Sequence, residues 1–273
     1  DENIVLAGGN PRGTLYAVYH FLEDIVGVRW WNPFEETVPL KPTLVVKDID
    51  RQGRPVFGYR DIFMIYGNDS GRFAVHSRLN GQGDAPIITK YGGGIGYGLP
   101  YHVHTFYRYI PPETYLKSHP EWFSLINGRR IAKQLCLTNQ ELRNLFVIKL
   151  KEYIKKSTEI ARKNGQIAPS IFSISQNDWR GMCQCEECQA ITQREGSEAG
   201  LLLDFVNYIA DSVKDEYPEV YISTLAYQMT VKPPMNIKPH DNVIIRLCDE
   251  SSDLTKSITH PSNHEFKNIV SDW

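Results

Sequence analysis

The chain has 273 residues, of which 41% are hydrophobic and 23% charged, and its formal net charge is −2. That length can bury a sizeable core and predicts about two domains. The near-neutral charge excludes a broad basic surface, so neither nucleic acid nor an anionic membrane is an expected partner. A continuous run of roughly 18 apolar residues is missing from the sequence, so no membrane-spanning segment is predicted.

The first 50 residues predict a small α/β domain in the order β-α-β-β. Its predicted elements are a strand at Asn3–Ala7, a helix from Gly13 to Gly27, and strands at Val28–Trp31 and Leu44–Val46. The helix is indicated by apolar residues at helical spacing and by the glycine that ends it. Arg51–Pro55 is the expected linker, so we predict domains at residues 1–50 and 51–273.

The second predicted domain alternates strands with helices. Strands are predicted at Val56–Tyr66, His102–His104, Trp122–Ile126, Ile171–Ile174, Val220–Ala226 and Val243–Leu247, with a hairpin turn at Asn127–Gly128 and helices over 73–79, 139–163 and 198–217. Such alternation is typical of a parallel sheet with helices outside it. We therefore predict a (β/α)8 TIM-type barrel, truncated at its C-terminus because about six of its eight strands are found.

Polar residues at four of these strands predict a site at one edge of the sheet. They are Tyr59–Asp61, then Asn177 and Asp178, then Tyr227 and Gln228, then Asp249 and Glu250. Carboxylates at strand ends, with aromatic residues nearby and no cofactor motif, favour hydrolytic acid–base chemistry. Asp178 and Glu250 are the predicted catalytic pair, with Asn177 as an orienting group and Asp249 as a further candidate. Capping of the next helix is an equally good interpretation of either polar pair.

Two histidines and a tryptophan are candidate substrate-binding residues. His102 and His104 alternate, so both rings lie on one face of the predicted strand. A metal site at these two histidines would need a third ligand, and none is evident nearby in the sequence. The preferred role of the histidines is hydrogen bonding, either within the protein or to a sugar. Trp179 directly follows Asp178 and is suited either to stacking on a sugar ring or to the core.

Three of the five cysteines lie within six residues, at Cys183, Cys185 and Cys188. A structural zinc site needs four ligands, so Cys136 or Cys248 would supply the fourth. A disulfide and free buried thiols are the alternatives. No cofactor is expected to be required for catalysis, and a metal here is expected to hold the loop after the strand at Ile171–Ile174.

The chain begins in a strand-like segment and ends at Trp273 without a turn signal. A fragment of a longer protein is therefore expected, with its targeting signal outside these residues. The expected location is the cell envelope, either periplasmic or at the surface, or outside the cell. Oligomeric state is left open.

Several segments resemble glycoside hydrolases. Residues 53–66, including Arg60, resemble the first barrel strand of family 20 β-hexosaminidases, and residues 13–39 resemble the α/β domain that precedes the barrel in families 20 and 67. The segment SQNDWRGMCQCEEC from Ser175 and the segment TLAYQ from Thr224 are similar to a group of Bacteroides-type barrels of unknown function. Some members of that group are classed in glycoside hydrolase family 163.

This resemblance implies an endo-β-N-acetylglucosaminidase that acts on N-glycans by a substrate-assisted retaining mechanism. It also implies that Arg60 and Tyr227 hold the sugar. Family 20 has adjacent Asp and Glu where this chain has Asn177 and Asp178, so the proton donor moves to Asp178 or Glu250. A non-catalytic carbohydrate-binding barrel and an α-glucuronidase-like enzyme are the alternatives.

Overall fold

The structure, a computed structural model, describes residues 3–61, 70–81, 87–98 and 100–273. The chain forms two compact units, one of residues 1–96 with 160–168 and the other of residues 97–159 with 169–273. This division does not fall at residue 50. The domains at residues 1–50 and 51–273 that the sequence suggests stay a prediction.

The first unit is built on a helix and a short hairpin. Helix α1, Gly13–His20, continues as one π-helical turn, Phe21–Val26, and ends at Gly27. Gly27 has φ +92°, a backbone conformation that favours glycine, as the predicted helix end requires. Strands β1, Arg29–Asn32, and β2, Glu35–Thr37, pair antiparallel. Tyr19 packs edge-on against Trp30, with ring centroids 5.5 Å apart.

Helix α2, Ser70–His76, and a 3-10 turn at Thr89–Tyr91 complete the elements of the first unit in the described chain. Ala74, Val75 and Ile87 are buried with Tyr19 in its core.

The second unit contains the remaining elements. Its helices are α3, Phe106–Tyr109; α4, Pro112–Tyr115; α5, Gln140–Lys163; α6, Glu186–Glu195; α7, Glu198–Lys214; and α8, His264–Asp272. Its strands are β3, Phe123–Ile126; β4, Arg129–Leu135; β5, Ile171–Ser173; β6, Tyr221–Ala226; and β7, Val243–Leu247. Short 3-10 turns lie at Pro120–Trp122, Gln228–Thr230 and Pro261–Asn263. The last four residues of α5 group with the first unit.

A three-stranded parallel sheet in the order β5-β6-β7 positions the site. Ile171 pairs with Tyr221, and Ile222 pairs with Val243, so the carboxyl ends of all three strands meet at one edge. Helix α7 buries an apolar stripe in the core of this unit, and Phe205 at its centre packs against Phe146 with ring centroids 5.2 Å apart. The predicted amphipathic helix and the last two predicted strands are thereby confirmed in the structure.

Local signals explain two further elements. Asn127 and Gly128 both have positive φ, at 48° and 76°, and turn β3 into β4 as the predicted hairpin. Helix α5 is present as predicted, and Asn139 caps its start, because Asn139 Oδ1 accepts the backbone N–H of Leu142 at 2.9 Å. Of the helices that the structure describes, none combines the length and apolar character that a membrane crossing requires.

The predicted (β/α)8 barrel is wrong. The described residues form sheets of two, two and three strands that do not close. One segment counted as a barrel strand behaves differently, because His102–His104 is a loop in which His104 has φ +53°. Trp122–Ile126 contributes to the antiparallel hairpin that Asn127 and Gly128 predict. Part of the predicted strand Val56–Tyr66 lies outside the described residues, and residues 56–61 form no strand. A truncated barrel is therefore replaced by a three-stranded parallel sheet beside a separate hairpin.

Two predicted strands of the first unit are also wrong. Asn3–Ala7 and Leu44–Val46 have no strand pairing, and Val5 and Val45 are both exposed. An apolar run forms a strand only when a partner strand and a core are available to it, and neither run finds one among the described residues. Glu35–Thr37 pairs instead, although its residues are polar and exposed.

Candidate functional site

Asp178 and Tyr227 meet at the carboxyl edge of the parallel sheet. Asp178 follows β5, Tyr227 follows the neighbouring strand β6, and the Tyr227 hydroxyl donates to Asp178 Oδ1 at 3.0 Å. Gln228 Nε2 donates to the same hydroxyl at 2.9 Å. Burial and the hydrogen bond to Asp178 raise the pKa of Tyr227 above its ordinary value. Tyr227 is therefore a neutral donor that orients an exposed carboxylate at physiological pH.

His104 joins this pair from the loop before α3. Its Nδ1 lies 2.9 Å from the carbonyl oxygen of Gln176, so the ring carries its proton there and directs Nε2 toward Asp178 Oδ1, 3.8 Å away. His104 and Gln228 both have left-handed backbone, with φ of +53° and +51°. Such strain in residues other than glycine concentrates at functional sites, and here it lies on both sides of the Tyr227–Asp178 contact.

The loop that carries Asp178 is held by a buried glutamine. Gln134, at the end of β4, accepts the backbone N–H of Asn177 at 2.9 Å and donates to the carbonyl oxygens of Asn177 and Trp179 at 3.0 and 2.6 Å. Asn177 is itself buried, and its amide donates to Lys133 O at 3.0 Å. The Asn177 side chain thus faces the protein, and only Asp178 of the pair faces solvent.

Trp179 lies beside the carboxylate with 42% of its surface exposed. Its indole N–H donates to Lys133 O at 2.7 Å, and its ring lies 5.9 Å from that of Tyr107. The indole ring is thus fixed by a hydrogen bond at one edge and partly exposed to solvent. A ring in this position is suited to stacking against a flat or apolar face of a ligand.

The third strand brings Asp249 and Glu250 to the same edge. Asp249 Oδ1 accepts the backbone N–H groups of Ser251 and Ser252 at 3.2 and 3.0 Å. Desolvation would raise the pKa of Asp249, but hydrogen bonds from Ser252 and Ser251 outweigh it and lower the pKa. Asp249 therefore stabilises its own turn. Glu250 is exposed after the end of β7, and it makes only a minor electrostatic contribution to the raised pKa of Tyr227.

His102 contacts the sheet rather than the Asp178 pair. Arg246 of β7 donates to His102 Nε2 at 2.9 Å, and the His102 ring packs edge-on against Tyr97 at 4.4 Å. Arg60 lies in the first unit, where its Nε donates to Arg78 O at 2.9 Å and its guanidinium lies over the Tyr16 ring. The sugar-holding role of Arg60 stays a prediction.

Four cysteines form a buried cluster beside this site. The Sγ atoms of Cys136, Cys183, Cys185 and Cys188 all lie within 4.8 Å of one another. Of the two candidates for the fourth position, the structure places Cys136 there, directly after β4, and Cys248 elsewhere. A metal ion is the ligand for which four converging thiols are suited.

Two residues that support the site were not predicted from the sequence. Gln134 and Gln176 are fully buried amides, and Gln176 Nε2 donates to Thr230 Oγ1 at 2.7 Å. Gln228, which the sequence places at this edge with Tyr227, donates to the Tyr227 hydroxyl. The sequence signal that could have identified Gln134 is a polar residue at a strand position whose side chain faces the core, in the run RRIAKQL.

A comparison with protein families finds one match, over residues 30–273, to the family described as a domain of unknown function, DUF4838. The curated proteins contain no match to this chain. The matched segment includes the parallel sheet, the Asp178–Tyr227 edge and all five cysteines. The chain therefore belongs to the DUF4838 family.

Proposed function

We propose that the Asp178–Tyr227 edge is the active site of a glycoside hydrolase that acts on N-acetylglucosamine-containing glycans. The observation that carries this proposal is the hydrogen bond from Tyr227 to Asp178 between the ends of adjacent parallel strands. Glycosidases work with carboxyl groups placed on either side of a scissile bond, and Glu250 at the next strand end provides a second one. Trp179 offers an exposed ring on which the apolar face of a sugar packs.

The proposed mechanism is substrate-assisted and retaining. The carbonyl oxygen of the 2-acetamido group attacks the anomeric carbon while the bond to the leaving oxygen breaks, and that oxygen receives a proton. Asp178 accepts the acetamido N–H and thereby orients the attacking oxygen. Glu250 donates the proton to the leaving oxygen and then, as a base, activates the water that opens the cyclic intermediate. Asn177 takes no part in this scheme because its amide is bound to Lys133 O.

Endo-β-N-acetylglucosaminidase activity on N-glycans is the specific form of this proposal. The test is incubation of the chain with defined N-glycans and detection of released glycans by mass spectrometry. Asp178→Asn and Glu250→Gln should each lower kcat by about 10²- to 10⁴-fold, the usual contribution of a positioned acid or base. Asp249→Asn is the matched control, because asparagine keeps the oxygen that accepts from Ser251 and Ser252.

Three outcomes would overturn the proposal. Glycan binding by the unmodified chain without any release would indicate a carbohydrate-binding protein. Release of uronic acid from glucuronoxylan, with N-glycans left intact, would indicate an α-glucuronidase-like enzyme. Equal activity of Asp178→Asn, Asp249→Asn and the unmodified chain would place the chemistry at another site.

A further inference from the structure

We propose that Cys136, Cys183, Cys185 and Cys188 bind one structural zinc ion. All four side chains are buried, and they come from two places in the chain. Cys136 directly follows β4, whereas the other three lie in and just before the first turn of α6. This inference is independent of the proposed glycosidase activity.

The sulfur–sulfur distances fit a tetrahedral zinc site. Cys136 Sγ lies 3.6 Å from Cys185 Sγ and 3.9 Å from Cys188 Sγ. Four sulfurs at about 2.3 Å from a central zinc ion are separated by about 3.8 Å along each edge of the tetrahedron. A disulfide would instead bring two of the sulfurs to about 2.05 Å and leave the other two thiols buried and unpaired. The observed spacing therefore favours one ion shared by all four thiols.

The surroundings supply donors to thiolate sulfur. The backbone N–H of Leu125 lies 3.3 Å from Cys183 Sγ, and the Arg130 guanidinium lies 3.5 Å from the same atom. Thr138 Oγ1 lies 3.2 Å from Cys188 Sγ. Four thiolates and one Zn²⁺ carry a net charge of −2, so a nearby guanidinium and these hydrogen bonds offset part of it. Partners of this kind orient ligands and tune metal affinity.

The zinc ion would join β4 to the loop that follows β5. That loop carries Asp178 and Trp179 and reaches Cys183 five residues after Asp178. Gln134 already holds the first part of the loop from the end of β4. A metal bound by Cys136 would hold the second part from the same strand end, so both attachments fix the position of Asp178 relative to the sheet.

The first experiment measures metal in the full chain, purified with reductant and without chelator. We expect close to one zinc ion per chain by elemental analysis. Replacement of zinc by Co²⁺ should give the charge-transfer and ligand-field bands of a tetrahedral tetrathiolate site, a measurement that needs no mutation. A folded protein without metal, a red protein that contains iron, or a disulfide detected by mass under non-reducing conditions would each overturn the proposal.

The second experiment tests the ligand set with Cys136→Ser, Cys248→Ser and Thr138→Val. Competition with a chromogenic chelator measures zinc affinity. Cys136→Ser should weaken binding by more than the roughly 10- to 100-fold that loss of an outer partner costs, and Thr138→Val should fall within that range. Cys248→Ser should bind zinc as the unmodified chain does. Unchanged affinity in Cys136→Ser would exclude the four-cysteine site, and the Co²⁺ spectrum decides the question if that variant fails to fold.

Discussion

Replacing the buried carboxylate of Glu195 with an amide should destabilise the second unit. Glu195 ends α6 with no exposed surface, and its Oε2 accepts the backbone N–H groups of Asn236 and Ile237 at 2.8 and 3.0 Å. Its Oε1 accepts Arg194 Nε at 2.8 Å. The side chain thus fastens the loop between β6 and β7 to the end of α6. Glu195→Gln retains the shape and removes the charge.

The magnitude follows from the pKa of Glu195. Burial alone would raise that pKa, but hydrogen bonds from Arg194, Ile237 and Asn236 outweigh it and lower the pKa to about 2 from the ordinary 4.5. At about 1.4 kcal/mol per pKa unit, this difference corresponds to about 3 kcal/mol. Arg194 is more than half exposed, so solvent screens its share, and about 2 to 3 kcal/mol is the expected loss for Glu195→Gln at pH 7.

The pH dependence provides the sharper assay. Because the folded pKa lies below the unfolded value, the stabilisation is complete above about pH 4.5 and is lost as pH falls from there toward 2. Urea unfolding at several pH values, followed by far-UV circular dichroism and tryptophan fluorescence, measures it. Glu219→Gln, at an exposed position, is the control. Over that pH range the free energy of unfolding should fall more steeply for the unmodified chain and for this control than for Glu195→Gln. Parallel curves for Glu195→Gln and the unmodified chain would refute this reasoning.

Three further substitutions test the core, the loop and the hairpin. Phe205→Ala removes a fully buried ring that packs on two other rings, so it should lower the free energy of unfolding in urea by about 3 to 5 kcal/mol. Phe205→Leu should lower it clearly less, and equal losses for the two variants would exclude a cavity effect. Gln134→Leu leaves the buried N–H of Asn177 unpaired, so we expect a loss of about 2 to 4 kcal/mol, and a loss below 1 kcal/mol would show that water replaces the amide. Gly128→Ala should cost about 1 to 2 kcal/mol because Gly128 has φ +76°, whereas an unchanged free energy of unfolding would show that the turn relaxes.

Elements with a strong local signal were predicted correctly from the sequence. The apolar stripe of α7, the run at Val243–Leu247 and the Asn127–Gly128 turn each contain their own signal, and each is present with closely matching bounds. The convergence of Asp178 and Tyr227 also followed from local patterns, because parallel strands place their carboxyl ends at one edge. Local periodicity and strand polarity account for these successes.

The number and pairing of strands were not predictable in the same way. A barrel depends on which strands become neighbours across long stretches of chain, and the alternating residues at His102–His104 predict a strand although the chain forms a loop there. The choice of Cys136 over Cys248 depends on packing across more than 40 residues of sequence. Asn177 faces inward because Lys133 and Gln134 lie beneath it, and this contact between distant segments leaves no pattern in either one.

Cys248 is a suitable position for attaching a spectroscopic probe to this protein. Among the five cysteines, all of which lie in the described part of the chain, four are buried and Cys248 is half-buried. Buried thiols react slowly with maleimides, so a dye or spin label should attach first at Cys248, at alkaline pH because burial raises its pKa. The label would then sit two residues from Glu250, so glycan binding at the proposed active site should change the fluorescence or mobility of the probe.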